Sequence, residues 1–254
     1  MVRYLSGIMA LGMFSCTAES VSSLREEELI VTAVFRAGGE SQSVSVIALD
    51  PATGMAIPAA GELRVFNGTS WTTYAQEEQV YVSPADAEPI PFEIEGKVIF
   101  EHAGNMVEGV FITPEALSPG FTTPLEFAVE AALPEQIVFS ANWNALSGYE
   151  YIARLSCLED APLAIPFSGQ AGLFEARNQG PFLAPELSIR GNDFRYYGTH
   201  LLEIVAVDAL YRDAHFFNPV SLSGDLLSFP SNVSGGLGFV TATSSFSLQL
   251  EILP

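Results

Sequence analysis

Short runs of alternating polar and apolar residues, separated by turn-forming residues, are the feature that most constrains the fold of this chain. In the clearest run, residues 246–252, polar residues alternate with the apolar Phe246, Leu248, Leu250 and Ile252. Successive side chains of a strand point to opposite faces, so this pattern predicts a β-strand with one buried face. Many short runs of this kind predict a mainly β protein built as a sandwich.

The first half of the chain carries most of these runs. Residues 29–35 form an apolar, β-branched run, and Asn67-Gly68 is a strong hairpin signal between residues 63–66 and 71–74. These runs predict an Ig-like or fibronectin-like β-sandwich over residues 27–114. The proline-rich residues 114–124 then predict a linker or boundary.

Residues 115–254 are predicted to form a second β-rich domain with one short helix. Apolar side chains alternate with polar ones over residues 149–157, which places Cys157 on the inward face. Asp208 is positioned to cap a helix that follows a strand at residues 200–207 and extends through Phe217. Whether the two β regions are separate domains or one continuous sandwich is left open by the sequence.

The N-terminus has the features of a bacterial export signal. Arg3 precedes an apolar run over residues 4–14, which is too short to span a bilayer, and Ser15-Cys16 follows it. Residues 1–15 therefore read as a signal peptide and residues 16–26 as a polar tether. A cysteine at this position resembles the bacterial lipobox, which implies lipidation of Cys16. Thr17, in place of an aspartate, favours the outer membrane by analogy.

The charge balance excludes one large class of partners. The chain has 30 acidic residues against 10 basic ones, and its formal net charge is −20. Such a chain is repelled by phosphate backbones, so we expect no nucleic-acid binding. Electrostatic binding to anionic lipid is equally disfavoured, and contact with a membrane then depends on the lipid anchor.

Signatures of catalysis, metals and cofactors are missing from the sequence. The three histidines, His102, His200 and His215, do not form a zinc motif, and there is no G-x-S-x-G nucleophile pattern. The carboxylates do not form a D-x-D-x-D-G calcium loop. We therefore predict a protein that is not an enzyme, with no metal and no cofactor.

Aromatic side chains are the remaining candidates for a binding site. Trp71, Trp143, Tyr196 and Tyr197 could stack on sugar rings or anchor a protein partner. Neighbours on a strand point to opposite faces, so one of Tyr196 and Tyr197 is expected to be exposed. Packing in the core is the competing interpretation for each of the four residues.

A glycine-rich motif near the C-terminus has a structural interpretation. Gly235, Gly236 and Gly238 permit positive φ angles or a close approach to another backbone, and Asn232 can cap a turn. The glycine spacing and the strand that follows do not fit a phosphate-binding loop, which opens onto a helix.

Four stretches of the chain carry a family resemblance. They are the signal peptide with Cys16, residues 29–35 with 57–65, residues 202–211, and the glycine motif at residues 229–239. Together they resemble a family of outer-membrane lipoproteins of Gram-negative, Bacteroidetes-type bacteria that is catalogued as a domain of unknown function.

Members of that family are often encoded beside TonB-dependent receptors of the outer membrane. The resemblance therefore implies a non-catalytic binding or accessory module that partners such a transporter in nutrient uptake. A stand-alone protein of the cell surface, which binds polysaccharide or mediates adhesion, is the alternative.

Overall fold

The computed structural model describes residues 28–39, 41–49, 56–78, 80–121, 124–129, 135–166, 179–216 and 231–254. The predicted signal peptide, Cys16 and the whole tether lie outside these residues. Phe217, predicted to end the helix, and the first two residues of the glycine motif lie outside them as well.

The described residues form a succession of short strands. In chain order these are β1 Glu28–Arg36, β2 Ser43–Leu49, β3 Ala56–Pro58, β4 Glu62–Phe66, β5 Trp71–Glu77, β6 Val80–Val82, β7 Glu95–His102, β8 Asn105–Ile112, β9 Pro119–Phe121, β10 Glu126–Ala128, β11 Ile137–Trp143, β12 Glu150–Cys157, β13 Gln179–Phe182, β14 Glu186–Arg190, β15 Gly198–Val207, β16 Val233–Ser234 and β17 Leu237–Leu253. A 3-10 turn spans Gly191–Asp193, and helix α1 spans Ala209–Phe216. The predicted mainly β class, with one short helix in the described residues, is confirmed.

Most strands belong to one continuous sheet. Its main path runs β13-β12-β15-β17-β1-β2-β6-β5-β4-β7-β8-β16, with β3 beside β2 and β10 beside β17. A second sheet has the order β14-β11-β9. Strand β9 lies inside the stretch expected to be a linker, and it pairs with β11 through Phe121 and Ala141. That stretch therefore contributes an edge strand to the second sheet.

Strand β17 connects the two halves of the fold. Its first part runs parallel to β1, with Ala33 beside Val240, and its second part runs antiparallel to β15, with Leu202 beside Leu248. Val240 and Ala242 enter the first hydrophobic core, whereas Leu248 and the even-numbered residues after it enter the second. A single strand of 17 residues thus belongs to both cores.

The first core is enclosed because the long sheet folds back on itself. Strands β4, β7 and β8 face β1, β2 and the start of β17, and the rings of Phe35 and Phe111 meet across the core at 4.4 Å. This arrangement is the predicted N-terminal β-sandwich. The far end of the chain completes it, because Val240 and Ala242 come from the region that was predicted to be a second domain.

The second core lies between β12, β15 and β17 on one side and the β14-β11-β9 sheet on the other. Its centre includes Phe139, Tyr151, Phe194 and Leu202, which are all fully buried. Cys157 ends the inward-facing row of β12 and is half-buried, so it is less enclosed than the alternation predicted.

Helix α1 covers the outer face of the same sheet. As predicted, Asp208 caps it: the Tyr211 amide donates to Asp208 Oδ1 at 2.7 Å. The other carboxylate oxygen accepts a hydrogen bond from Thr241 Oγ1 on β17 at 2.5 Å. The Tyr211 side chain packs on Ile152, Val205 and Val207. The cap therefore fixes the helix to the shared strand.

The glycine motif guides the chain into β17, which confirms its structural interpretation. Gly235 and Gly238 have φ values of +78° and +115°, and a Cβ on Gly238 would collide with the carbonyl oxygen of Val31. Asn232 Nδ2 donates to the Val240 carbonyl at 2.7 Å, and Asn232 Oδ1 accepts from the Val240 amide at 2.8 Å. These contacts set the register in which β17 enters the first core.

Replacement of Gly238 by alanine should destabilise the whole protein. The added methyl group would push β1 away from β17, so we expect the free energy of unfolding to fall by at least about 3 kcal/mol. The matched control is Gly104→Ala, because Gly104 also has a positive φ of +86° but a Cβ there meets nothing within 4 Å. That variant should lose only the backbone cost of about 1–2 kcal/mol. Urea unfolding measures both, and equal losses would contradict the close-approach argument.

The shared strand should make the two cores unfold together. One tryptophan lies in each half, Trp71 on β5 and Trp143 on β11, so Trp143→Phe and Trp71→Phe each leave a reporter for one half. Leu250→Ala removes a fully buried side chain of the second core and should cost about 2–5 kcal/mol. We expect both reporters to show the same shift in urea midpoint. A shift seen by Trp143 alone would show that the halves unfold independently.

Candidate functional site

One face of the first sandwich combines exposed aromatic, aliphatic and charged side chains. It is the outer face of strands β5, β4, β7 and β8, and we call it the aromatic face. Inward-pointing residues of these strands, such as Leu63, Val98 and Val107, fill the first core. The residues between them must point outward, because side chains alternate along a strand.

The centre of the aromatic face is a row of four residues across the four strands. Trp71 pairs with Phe66, Phe66 with Lys97, and Lys97 with Val110. An open depression in this row is lined by these four residues together with Glu95 and Gly96. The ring of Phe111 fills the space beneath Gly96, where a Cβ would collide with it.

A tight hairpin places Trp71 at the edge of this row. Asn67 Oδ1 accepts hydrogen bonds from the amides of Thr69 and Ser70 at 3.1 and 2.9 Å, which closes the turn between β4 and β5. The Trp71 ring then lies beside Phe66, with ring centroids 5.3 Å apart, and remains 47% exposed. A large aromatic side chain left this open is unusual for a sandwich and is typical of a contact residue.

Both cations of the face, Arg64 and Lys97, form ion pairs with glutamates. Lys97 Nζ lies 2.5 Å from Glu108 Oε1, and Arg64 pairs with both Glu101 and Glu62. The Arg64 guanidinium carbon is also 5.9 Å from the centroid of the Trp71 ring.

The face as a whole carries an excess of negative charge. Strands β4, β7 and β8 place Glu62, Glu95, Glu101 and Glu108 on it against Arg64 and Lys97, so its carboxylates outnumber its cations. Glu95 is exposed at the rim of the depression, and among the described residues it has no ion-pair partner.

Exposed aliphatic side chains surround these charges. Met106, Val110 and Ile112 lie on β8, which pairs with β7, and all are exposed. Clustered apolar side chains with a polar rim mark interaction surfaces in soluble proteins. Tryptophan, arginine and methionine are also enriched where proteins contact each other. The arrangement is therefore suited to binding a partner.

The structure places the other predicted aromatic residues in different surroundings. Trp143 is 6% exposed and packs on Tyr151, Phe182 and Phe246 in the second core. A ligand cannot reach its ring there. Trp143 therefore packs in the core, which was the competing interpretation of this residue.

The prediction that one of Tyr196 and Tyr197 would be exposed is wrong. Both are half-buried, and they lie before β15, where Tyr196 forms only an isolated bridge with Ala164. The alternation rule fails because the pair lies outside a regular strand. Tyr197 packs on the second core, and the Arg195 guanidinium lies 5.3 Å from the Tyr196 ring.

Titratable groups with shifted pKa values are scattered and do not define a second site. Burial raises the pKa of Tyr74 above its usual range, and burial also raises that of Tyr81, although its bond with the Gly61 backbone opposes the shift. A hydrogen bond from the Thr199 amide lowers the pKa of Glu159. Catalytic sites bring such groups together in a cleft, whereas the two tyrosines are packed in the first core and Glu159 lies beside β15 in the other half.

Potential metal ligands do not cluster in the described residues either: they include no group of three His, Cys, Asp or Glu side chains suited to a metal. His200 is buried, and its ring meets Phe194 edge-on at 5.5 Å. His102 Nδ1 is 2.5 Å from the Ala60 carbonyl oxygen. None of the helices in this part of the chain has the length and apolar character needed to span a bilayer.

Comparison with known proteins gives only distant structural similarity. No protein-family model and no curated protein matches the chain. Among solved structures, the chain is similar to trypsin-activated alpha-2-macroglobulin from Escherichia coli, with 15% identity over 72% of this chain and 14% of that one, and a TM-score of 0.23. It is also similar to the FN1–FN3 domains of chicken CNTN1, with 11% identity over 70% and 60% and a TM-score of 0.25.

A third similar structure is the adhesin InvE of Yersinia pseudotuberculosis, with 10% identity over 90% of this chain and 59% of that one, and a TM-score of 0.23. The chain thus spans less than two thirds of the length of each of these proteins.

The two tryptophans should differ sharply in their contribution to stability. Trp71→Ala removes an exposed ring and should lower the free energy of unfolding by about 1 kcal/mol or less. Trp143→Ala leaves a cavity in the second core and should cost about 3–5 kcal/mol. Urea unfolding of the two variants measures the difference. A comparable loss for Trp71→Ala would mean that this residue is needed for packing, and the aromatic face would lose its main anchor.

Proposed function

We propose that this protein is a lipid-anchored, non-catalytic binding module of the outer membrane that docks through its aromatic face. Its first partner would be an outer-membrane transporter of the TonB-dependent type, which the module would assist in nutrient uptake. The observation that carries the proposal is the open Trp71 ring beside exposed aliphatic side chains on a rigid sheet.

The chemistry of the aromatic face supports binding. It combines one large aromatic anchor, apolar neighbours and a charged rim, which is the usual composition of a protein contact. Its carboxylates are not enclosed as the acid and base of an active site are: Glu95 lines an open depression, and Glu108 pairs with Lys97 on the sheet surface.

The rigidity of the surface also supports this function. Each strand of the aromatic face is hydrogen-bonded to a neighbour along its length, and its inward side chains are held in the first core. A surface that is ordered before binding loses little conformational entropy when a partner docks.

Attachment to the membrane is proposed through Cys16. Acylation of that thiol, together with acylation of the new N-terminus, would supply the two or more chains that stable anchoring requires. The polar tether ends at Glu26, and strand β1 begins at Glu28, so the first sandwich would follow the tether directly.

A stand-alone polysaccharide-binding or adhesion protein is the second candidate. The exposed Trp71 ring favours it, because a flat aromatic face can stack on the apolar side of a sugar ring. The two candidates differ in what accompanies the protein: a transporter in the first and no protein partner in the second.

Trp71→Ala should abolish recovery of the partner without releasing the protein from the membrane. Truncation of a central aromatic anchor typically costs about 2 kcal/mol or more of binding free energy, which is at least about thirtyfold in affinity. The measurement is co-purification: the protein is purified from gently solubilised membranes, and the proteins that accompany it are identified. The matched control is Leu183→Ala, an exposed apolar residue of the second half, which should retain the partner.

Membrane attachment is tested separately by Cys16→Ala. The N-terminal mass of the native protein should show an acylated Cys16, and the Cys16→Ala variant should leave the membrane fraction. An acylated protein recovered alone would favour the stand-alone candidate. An unmodified N-terminus in a soluble fraction would refute the anchor.

A further inference from the structure

The depression on the aromatic face has an unusual pair of walls. The Trp71 ring of β5 lines one part of it and Glu95 of β7 another, with Phe66 of β4 and Lys97 of β7 in the row between them. An aromatic face attracts cations through its quadrupole, and a carboxylate attracts them through its charge. A positive group that entered the depression would have both features within the same lining.

We propose that this depression receives a basic side chain, arginine or lysine, from the protein partner. This inference rests on the proposed function, since it names the chemistry of the partner at the same face. The partner would present the basic side chain within an apolar surface that covers Val110 and the aliphatic residues of β8.

The charges around the depression support a cationic occupant. Lys97 is the nearest cation, and its ammonium group is paired with Glu108 at 2.5 Å. Arg64 is held by Glu62 and Glu101. Both cations are thereby compensated, whereas Glu95 has no ion-pair partner among the described residues and offers its carboxylate to an incoming charge.

The Trp71 ring already shows that it accommodates a guanidinium group. The Arg64 guanidinium carbon lies 5.9 Å from its centroid, within the range of a cation–π contact. Nearly half of the Trp71 residue remains exposed, and part of it lines the depression. A second cation from a partner can therefore approach the ring from the open side.

Other occupants fit the face less well. A second copy of the chain would bring its own excess of carboxylates, and two chains of net charge −20 repel each other. An uncharged polysaccharide could stack on Trp71 but would leave the Glu95 charge without a counterpart. A basic protein surface satisfies both the ring and the carboxylate.

The inference is tested with a small probe and the full chain in detergent, labelled with 5-fluorotryptophan. The two tryptophans give two fluorine resonances, which Trp71→Phe assigns. The probe is N-acetyl-arginine methylamide, and its neutral isostere is N-acetyl-citrulline methylamide. We expect the arginine probe to shift the Trp71 resonance and leave that of Trp143 unchanged. The citrulline probe should bind about fivefold more weakly than the arginine probe.

The variant Glu95→Gln should weaken binding of the arginine probe about fivefold, because it removes the carboxylate and keeps the shape of the side chain. Glu186→Gln is the matched control, since it changes the net charge equally but alters an exposed glutamate on β14. Equal effects of the two variants would show that binding of the probe depends only on the net charge of the protein, and would overturn the proposal. Equal binding of the arginine and citrulline probes would overturn it too.

Oligosaccharides provide the competing outcome. A shift of the Trp71 resonance by cellohexaose or laminarihexaose, with no shift by the arginine probe, would overturn the proposal in favour of a glycan. Recovery of the membrane partner distinguishes failure of this inference from failure of the proposed function. If Trp71→Ala still abolishes that recovery while the arginine probe fails, the proposed function stands and this inference falls. If Trp71→Ala leaves recovery intact, the proposed function itself falls.

Discussion

The register of β17 is the constraint on which the rest of the structure depends. This strand is parallel to β1, which lies at the other end of the described chain, and antiparallel to β15. Its even-numbered side chains supply both cores, from Val240 to Ile252. A slip of one residue would turn polar side chains such as Thr241 and Gln249 inward in both halves at once. The contacts of Asn232 and Gly238 therefore protect two cores rather than one.

The aromatic face depends on the same strand, although it lies on the far side of the first core. Strand β8 closes the sandwich against β17, where a Cβ on Gly109 would collide with Val240, and β16 pairs with the edge of β8. Phe111 then reaches across to Phe35 on β1 and supports the floor of the depression. The position of β17 therefore determines the position of the aromatic face, because the tightly packed core between them resists deformation.

Sequence patterns predicted features set by neighbouring residues well, and contacts between distant parts of the chain poorly. The hairpin at Asn67, the Asp208 cap and the alternation of residues 246–252 all follow from nearest neighbours, and the structure has each of them. The start of β17 was missed, because residues 238–244 are buried on both faces, and the polar side chains of Thr241 and Thr243 therefore do not mark a solvent face. Its parallel pairing with β1 depends on a contact between distant parts of the chain. The carboxylate of Glu95, which lines the same depression as Trp71, was also missed, since the two residues come together only after β5, β4 and β7 align.

Charge and apolar contact have separate roles at the surface of so acidic a protein. Arg36 and Arg154 are held by Glu203, and Arg212 is held by Glu150, so these cations serve internal pairing. The field outside the protein is left to the unpaired carboxylates, which draw basic surfaces toward it and repel other copies. Long-range attraction of this kind raises association rates but discriminates little between basic partners. Under the proposed function, discrimination would come from a short-range feature, and the Trp71 ring with its aliphatic neighbours would supply one that requires a matching shape.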